Sequence, residues 1–171
     1  MKRYIAALTI LISLFFATFS TTLWAQKASK EATVKVEGEV LKPLSLTLSD
    51  LAQLQHAEVS MKDRDGQLQH YSGVPVFELL KLAGVTLGKE LKGENLTKYM
   101  LVRSSDGYEV VFSLAELDPA FANRVIILAD RKDGKPLADG VGPFRLVVPD
   151  ENRPARSVLE VSNLIIRFAK E

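Results

Sequence analysis

The sequence predicts an α+β fold in which a mixed, mainly antiparallel sheet is combined with short helices. Asp-Gly pairs separate segments of alternating apolar and polar residues, which is typical of tight hairpins. The regular long crossover helices that join parallel strands are missing from the pattern. Turn-connected strands are therefore favoured over a doubly wound arrangement.

The first predicted strand begins at Val34, where apolar residues alternate as far as Val40. A helix that extends to Leu54 follows, and either Thr47 or Ser49 can cap it, because a hydroxyl oxygen accepts the orphan backbone N–H groups of a first helical turn. The chain is thus expected to pass from a strand into a short helix.

A hairpin is predicted around Asp65-Gly66, with its arms in residues 57–61 and 67–71. Pro75 then suits the first turn of a helix over residues 76–83, which carries an apolar stripe.

The second half of the chain repeats this organisation without repeating its sequence. Asp106-Gly107 and Asp133-Gly134 predict two further turns, and Ser113 with Glu116 forms a capping-box pattern at the start of a short helix. Further strands are predicted over residues 100–102, 108–112, 125–129, 144–148 and 164–168.

The N-terminus has the pattern of a secretory signal peptide. Lys2 and Arg3 precede an apolar stretch that ends near small residues, so residues 1–25 are predicted to be removed by cleavage after Ala25. An uncleaved membrane anchor is the alternative. Residues 26–33 are expected to form a flexible leader and residues 34–171 a single domain. The predicted location is the periplasm.

Charge excludes some partners. Removal of residues 1–25 takes Lys2 and Arg3 from the 22 basic residues, which leaves 20 against 21 acidic residues and a net charge of −1. This balance gives no reason to expect nucleic acid, or a membrane beyond the export signal, as a partner.

Few residues have the patterns of catalytic chemistry. The chain has no cysteine, no Gly-rich phosphate loop and no nucleophile elbow, and its two histidines show no metal-ligand spacing. By contrast, Arg145 interrupts an apolar strand, and Arg153 and Arg156 follow in a Pro-containing loop. A buried guanidinium needs an anion or several acceptors, so these arginines indicate either a structural salt bridge or an anion pocket.

Several segments in a fixed order resemble the oxidoreductase molybdopterin-binding domain, which has the sulfite oxidase fold. The similarity extends over about residues 34–168. The segments are Gly73-Val74-Pro75-Val76-Phe77-Glu78-Leu79-Leu80-Lys81-Leu82-Ala83-Gly84, Ser105-Asp106-Gly107-Tyr108, Ile127-Leu128-Ala129, Asp133-Gly134-Lys135-Pro136-Leu137 and Gly142-Pro143-Phe144-Arg145-Leu146-Val147-Val148-Pro149.

The resemblance implies a pterin-cofactor pocket. Arg145 matches an arginine near the cofactor, and Arg156 matches one that contacts the pterin tail. Asp106 is expected to accept hydrogen bonds from the pterin edge, and Tyr71, Tyr108 or Phe144 to stack on its ring. The remaining predicted pocket residues are Ser157, Arg153 and Arg64.

The sequence also departs from the family pattern. Leu159 stands where a lysine usually follows the arginine segment, and Tyr71 where many relatives have a tryptophan. The cysteine that binds molybdenum in the family would fall around residues 61–64, where no residue can replace a thiolate. The Lys2-Arg3 pair is also not a twin-arginine export signal.

The resemblance and these departures together predict a non-catalytic periplasmic protein that binds a pterin without metal. Short relatives without cysteine look like partners of membrane signalling proteins of the cyclic-di-GMP type, so a sensory partner is expected. Two alternatives remain open: a molybdopterin-dependent oxidoreductase domain, and an interaction scaffold that binds no ligand.

Overall fold

The computed structural model describes residues 31–62 and 65–169, which form ten strands and three short α-helices. The predicted signal peptide, most of the predicted leader and Arg64 lie outside the described residues. The strands are β1 Thr33–Gly38, β2 Leu44–Thr47, β3 Ala57–Lys62, β4 Leu68–Pro75, β5 Lys98–Ser104, β6 Glu109–Ser113, β7 Ile127–Lys132, β8 Lys135–Pro136, β9 Arg145–Val147 and β10 Val161–Phe168. The helices are α1 Leu48–Leu51, α2 Val76–Leu82 and α3 Leu114–Leu117, and 3₁₀ turns span Gly88–Glu90, Gly93–Thr97 and Pro154–Arg156.

The first sheet has the strand order β2-β1-β10-β5-β6. β1 runs parallel to β10, with Val36 opposite Leu164, and the other neighbours are antiparallel. The last strand of the chain, β10, lies at the centre of this sheet. Three consecutive buried residues, Leu164 to Ile166, explain this position, because a central strand is covered on both faces.

The second sheet has the order β3-β4-β7-β8, and β9 also pairs with β7. The pairing of β4 with β7 shifts register between Ser72 and Gly73, so Asp130 forms a bulge in β7. Gly73 is required here, because a Cβ atom at this position would lie 2.2 Å from the Leu128 carbonyl oxygen. The glycine therefore lets two strands approach closely.

Apolar side chains cover both faces of the second sheet. Alternate residues of a strand point to opposite faces, and Leu128 and Leu146 accordingly belong to the main core between the sheets. Their neighbours belong to a smaller cluster on the outer face, made of Met61, Tyr71, Ile127, Ala129 and Val147. This outer cluster lies beneath the loops that form the candidate site.

The local signals in the sequence are confirmed. The three Asp-Gly pairs connect β3 to β4, β5 to β6 and β7 to β8. Ser113 and Glu116 make both hydrogen bonds of a capping box. Thr47 caps α1, which ends at Leu51 rather than at Leu54. No helix of the described residues is long and apolar enough to cross a membrane.

Candidate cofactor groove

A groove of about 590 Å³ lies between the β5–β6 turn, β9 and the loop that contains the 3₁₀ turn Pro154–Arg156. We call it the arginine groove. Four of the predicted pocket residues line it, contributed by three separate parts of the fold. Its lining residues are Ser104, Asp106, Tyr108, Val141, Arg145, Pro154, Ala155, Ser157, Val158 and Leu159.

Arg145 is the half-buried cation of this groove. It is the first residue of β9, opposite Ala129, and its Nη1 donates a hydrogen bond of 2.6 Å to the Tyr71 hydroxyl. Its Cζ lies 4.8 Å from the centre of the Tyr71 ring. Among the described residues no carboxylate forms an ion pair with Arg145, and its buried Nε has no acceptor.

The electrostatics of Arg145 favour an external acceptor. Burial lowers the pKa of Arg145, while the charge interaction and the hydrogen bond with Tyr71 raise it. A guanidinium nevertheless stays protonated in proteins at neutral pH. The groove wall therefore carries a positive charge that the described part of the chain does not neutralise, and a ligand with acceptor atoms would compensate it.

Asp106 and Tyr108 form the opposite rim of the groove. The Asp106 carboxylate accepts a hydrogen bond of 2.9 Å from the Tyr108 backbone N–H. This bond, with a contribution from Ser104, lowers the pKa of Asp106 below its usual value. Tyr108 is 49% exposed, and its hydroxyl donates to the Ala155 carbonyl oxygen at 2.9 Å. The tyrosine therefore joins the β5–β6 turn to the 3₁₀ turn.

Ser157 connects the groove to the outer cluster of the second sheet. Its buried hydroxyl oxygen accepts a hydrogen bond of 3.0 Å from the Val148 N–H, and the hydroxyl donates to the Met61 sulfur at 3.1 Å. Met61 lies in the segment where the resemblance places the family's cysteine. The Met61 thioether is buried, and a serine hydroxyl already donates a hydrogen bond to its sulfur.

Arg156 is held by carboxylates. Its Nε donates to Glu151 at 2.9 Å, its Nη1 donates to Glu116 at 3.2 Å, and its Nη2 also pairs with Glu151. Arg124 contacts the same two carboxylates at 3.3 Å and 3.5 Å, and the Arg156 Cζ lies 4.6 Å from the Phe112 ring centre. We call these two arginines and two glutamates the four-charge cluster.

The ion pairs of Arg156 hold its loop against α3. The hydrogen bond with Glu151 raises the pKa of Arg156, and Glu116 acts in the same direction against the lowering effect of burial. Glu116 and Glu151 were not predicted as site residues. Glu116 lies 40 positions from Arg156 in the chain, so no local spacing could indicate this pair.

The other predicted residues that the structure describes do not line the arginine groove. Tyr71 is only 1% exposed and lies beneath Arg145. Arg153 is exposed and precedes the 3₁₀ turn. Arg64 lies outside the described residues. The binding roles of Arg153, Arg156 and Arg64 stay predictions.

A second groove, of about 580 Å³, adjoins the first, and Pro154 lines both. Met61 and Glu151 contribute to its wall. The other lining residues are Ser60, Lys62, Gly66, Leu68, Asp150 and Asn152. Within the described ranges, no group of three or more His, Asp or Glu side chains is arranged to hold a metal ion.

Comparison with known proteins agrees with the resemblance. A model of the family described as oxidoreductase molybdopterin binding domain matches residues 22–158. A comparison with curated proteins finds no match. Among solved structures, the sulfane dehydrogenase SoxCD from Paracoccus pantotrophus is similar, with a TM-score of 0.63 and 22% sequence identity. The similarity covers 81% of this chain but only 38% of that chain, so it concerns the fold.

Proposed function

We propose that this chain, which belongs to the oxidoreductase molybdopterin-binding domain family, binds a pterin in the arginine groove and does so without a metal. The observation that carries the proposal is Arg145, whose guanidinium has no carboxylate partner among the described residues and whose buried Nε has no acceptor. A buried polar group without a partner destabilises the folded protein unless a ligand or water satisfies it. A bound ligand that carries acceptor atoms would supply the hydrogen-bond acceptor that Arg145 Nε lacks.

The chemistry of the groove fits the organic part of the family's cofactor. A pterin is planar and carries an oxo group and ring nitrogens that accept hydrogen bonds, beside an amino group and a ring N–H that donate them. The guanidinium of Arg145 is a donor suited to the first set, and the Asp106 carboxylate is an acceptor suited to the second. The Tyr108 ring on the rim supplies an aromatic surface.

The same residues do not fit the metal part of the cofactor. The family's ligand is a thiolate, and the 171 residues contain no cysteine. Met61 offers only a neutral thioether that is buried and hydrogen-bonded by Ser157. In this proposal the chain binds a ligand and carries out no redox reaction.

A molybdopterin-dependent oxidoreductase domain is the second candidate. The family match favours it, because the family as a whole is named for molybdopterin binding and oxidoreductase activity. It would need a metal ligand from outside this chain. A scaffold that binds no ligand is disfavoured by the buried Nε of Arg145, which has no acceptor among the described residues.

Export and signalling extend the proposal. The apolar stretch after Lys2 and Arg3 supports a periplasmic location. A binding protein without its own chemistry can act by reporting its ligand, and the short cysteine-free relatives that the sequence resembles lead us to propose a membrane signalling protein, of the cyclic-di-GMP type, as its partner. Co-purification of such a sensor with the exported protein, dependent on Arg145, is the expected result.

The test is to identify what the protein releases. Protein purified from the periplasm is denatured, and the supernatant is analysed by mass spectrometry, pterin fluorescence and metal analysis. A metal-free pterin at about one equivalent is expected from the wild-type protein and from Arg167→Ala, a matched control that removes an exposed arginine of β10. Arg145→Ala, with an unchanged circular dichroism spectrum, should release none.

The other outcomes decide between the candidates. Release of a pterin together with stoichiometric molybdenum contradicts the metal-free proposal and supports the oxidoreductase. Equal release from wild type and Arg145→Ala contradicts the assignment of the groove. Arg145→Lys keeps the charge but loses the planar fork, so it should retain less pterin than wild type and more than Arg145→Ala.

A further inference from the structure

We propose that Tyr71 is a positioning residue that fixes the guanidinium of Arg145 for ligand binding. This inference rests on the proposed function. Tyr71 is only 1% exposed and does not line the arginine groove, so it cannot stack on a ligand there without rearrangement. Its hydroxyl nevertheless accepts the 2.6 Å hydrogen bond from Arg145 Nη1.

The contact restricts how Arg145 can point. The Nη1 group donates to the Tyr71 hydroxyl, and the Arg145 Cζ lies 4.8 Å from the centre of the tyrosine ring. These two contacts restrict the orientation of the guanidinium plane. A charge-assisted hydrogen bond in a partly buried setting is short and directional. The remaining donors are then held in one orientation before the ligand arrives, which reduces the entropy lost on binding.

Tyr71 is itself rigid. Its ring packs with Met61, Ile127, Ala129 and Val147 in the outer cluster of the second sheet, on a strand that pairs with β3 on one side and β7 on the other. Because this packing holds the Tyr71 ring in place, the tyrosine hydroxyl can hold the guanidinium of Arg145 at the start of β9 in one position. Tyr71 acts through Arg145 and makes no contact of its own with the ligand.

The variant Tyr71→Phe tests the role of the hydroxyl separately from that of the ring. The substitution keeps the packing of the ring but removes the acceptor of Arg145 Nη1. The matched control is Tyr99→Phe, which removes a hydroxyl from a partly exposed tyrosine of β5 outside the lining of either groove. Both variants should melt close to the wild-type temperature if the ring supplies most of the stability at position 71.

The first measurement needs no ligand. In the NMR spectrum of the ligand-free protein, the Arg145 side chain should show slow rotation about its Nε–Cζ bond in wild type and in Tyr99→Phe. Rotation should become faster in Tyr71→Phe. An unchanged rotation rate in Tyr71→Phe would overturn the positioning role, whatever the ligand proves to be.

The second measurement is a double-mutant cycle with neopterin, a fluorescent pterin, as the probe. Tyr71→Phe should weaken neopterin binding by up to about tenfold, because the freed Arg145 side chain would then have to be immobilised when the ligand binds. In the Arg145→Lys background, which keeps measurable binding, the same change should have little further effect, because Tyr71 then has no planar guanidinium to orient. Additive losses would indicate a separate role for Tyr71 and would overturn the inference.

The two proposals fail in different ways. If wild-type protein does not bind neopterin, the proposed function is contradicted, and the role of Tyr71 in binding is overturned with it. If Arg145→Ala abolishes binding while Tyr71→Phe leaves the affinity unchanged, only the positioning role is overturned.

Discussion

At the scale of single residues, surroundings distinguish Arg145 from Arg156, which the sequence presents as equivalent. Arg156 forms ion pairs with Glu116 and Glu151, whereas Arg145 contacts the hydroxyl and ring of Tyr71 and has no carboxylate partner in the described part of the chain. A guanidinium with two carboxylate partners gains little from an anionic ligand, while one without them gains much. The arginine most suited to ligand binding is therefore the one with the poorer intramolecular contacts.

Asp106 should remain ionised well into the acidic range. Its hydrogen bond with the Tyr108 N–H stabilises the carboxylate and lowers its pKa below the ordinary aspartate value of 3.8. A folded-state pKa below the unfolded value means that the contribution of this bond is fully present above the unfolded pKa and is lost as the pH falls through the folded pKa. An NMR titration of the Asp106 carboxyl carbon should give a midpoint below 3.8, and a midpoint at or above that value would contradict the hydrogen bond.

Ser157→Ala should destabilise the folded protein. The buried Val148 N–H would lose the hydroxyl oxygen that it contacts at 3.0 Å, and an unsatisfied buried donor costs about 1–3 kcal/mol. Urea unfolding measures the change in free energy. Ser105→Ala is the control, because it removes an exposed hydroxyl and should shift the free energy by less than about 0.5 kcal/mol. Equal effects of the two substitutions would contradict the buried role of Ser157.

At the scale of elements, the four-charge cluster fixes the loop that separates the two grooves. Arg156 and Glu151 belong to this loop, Glu116 belongs to α3, and Arg124 precedes β7. Tyr108 adds a second tether through its hydrogen bond to Ala155. Since Pro154 lines both grooves, the position of the loop determines the shape of each.

Arg156→Ala should therefore loosen the loop more than it weakens the fold. Hydrogen exchange of peptides that cover residues 149–159 should become faster, because Glu151 would keep only its contact with Arg124. Exchange in β10 should stay unchanged, and Arg167→Ala should leave both regions as in wild type. Loss of pterin binding without faster exchange in the loop would instead support the predicted direct contact of Arg156 with the ligand.

The elements also show what sequence can and cannot predict. The Asp-Gly turns and the Ser113 capping box were predicted correctly, since their chemistry lies within four consecutive residues. Gly66 illustrates the reason, as its φ of +77° is a local requirement that glycine meets. The parallel pairing of β1 with β10 and the burial of Tyr71 beneath Arg145 depend on partners that are distant in the chain. Patterns of neighbouring residues carry no information about such pairs.

At the scale of the whole molecule, the family resemblance supplied what local patterns could not. An ordered set of weak motifs identified the sulfite-oxidase-type fold, and both the family match and the similarity to SoxCD confirm it. The fold places the arginine groove over the outer face of the second sheet, where the 3₁₀ loop and the β5–β6 turn meet. Arg145 begins β9, whereas Met61 lies in β3, so the arginine of the groove and the segment where the resemblance places the family's cysteine belong to different strands.

Ligand binding should accordingly stabilise the whole described domain without any metal. A ligand that binds only the native state at a free concentration about 100-fold above its Kd adds about 2.7 kcal/mol of stability. For a domain of this size, with about 3 °C per kcal/mol, neopterin should raise the Tm by about 8 °C. The shift should persist in the presence of a metal chelator and in Arg167→Ala, and it should be absent in Arg145→Ala. If the chelator abolishes the shift in Tm, a metal takes part in binding. That result would contradict the metal-free proposal and support the molybdopterin-dependent oxidoreductase domain.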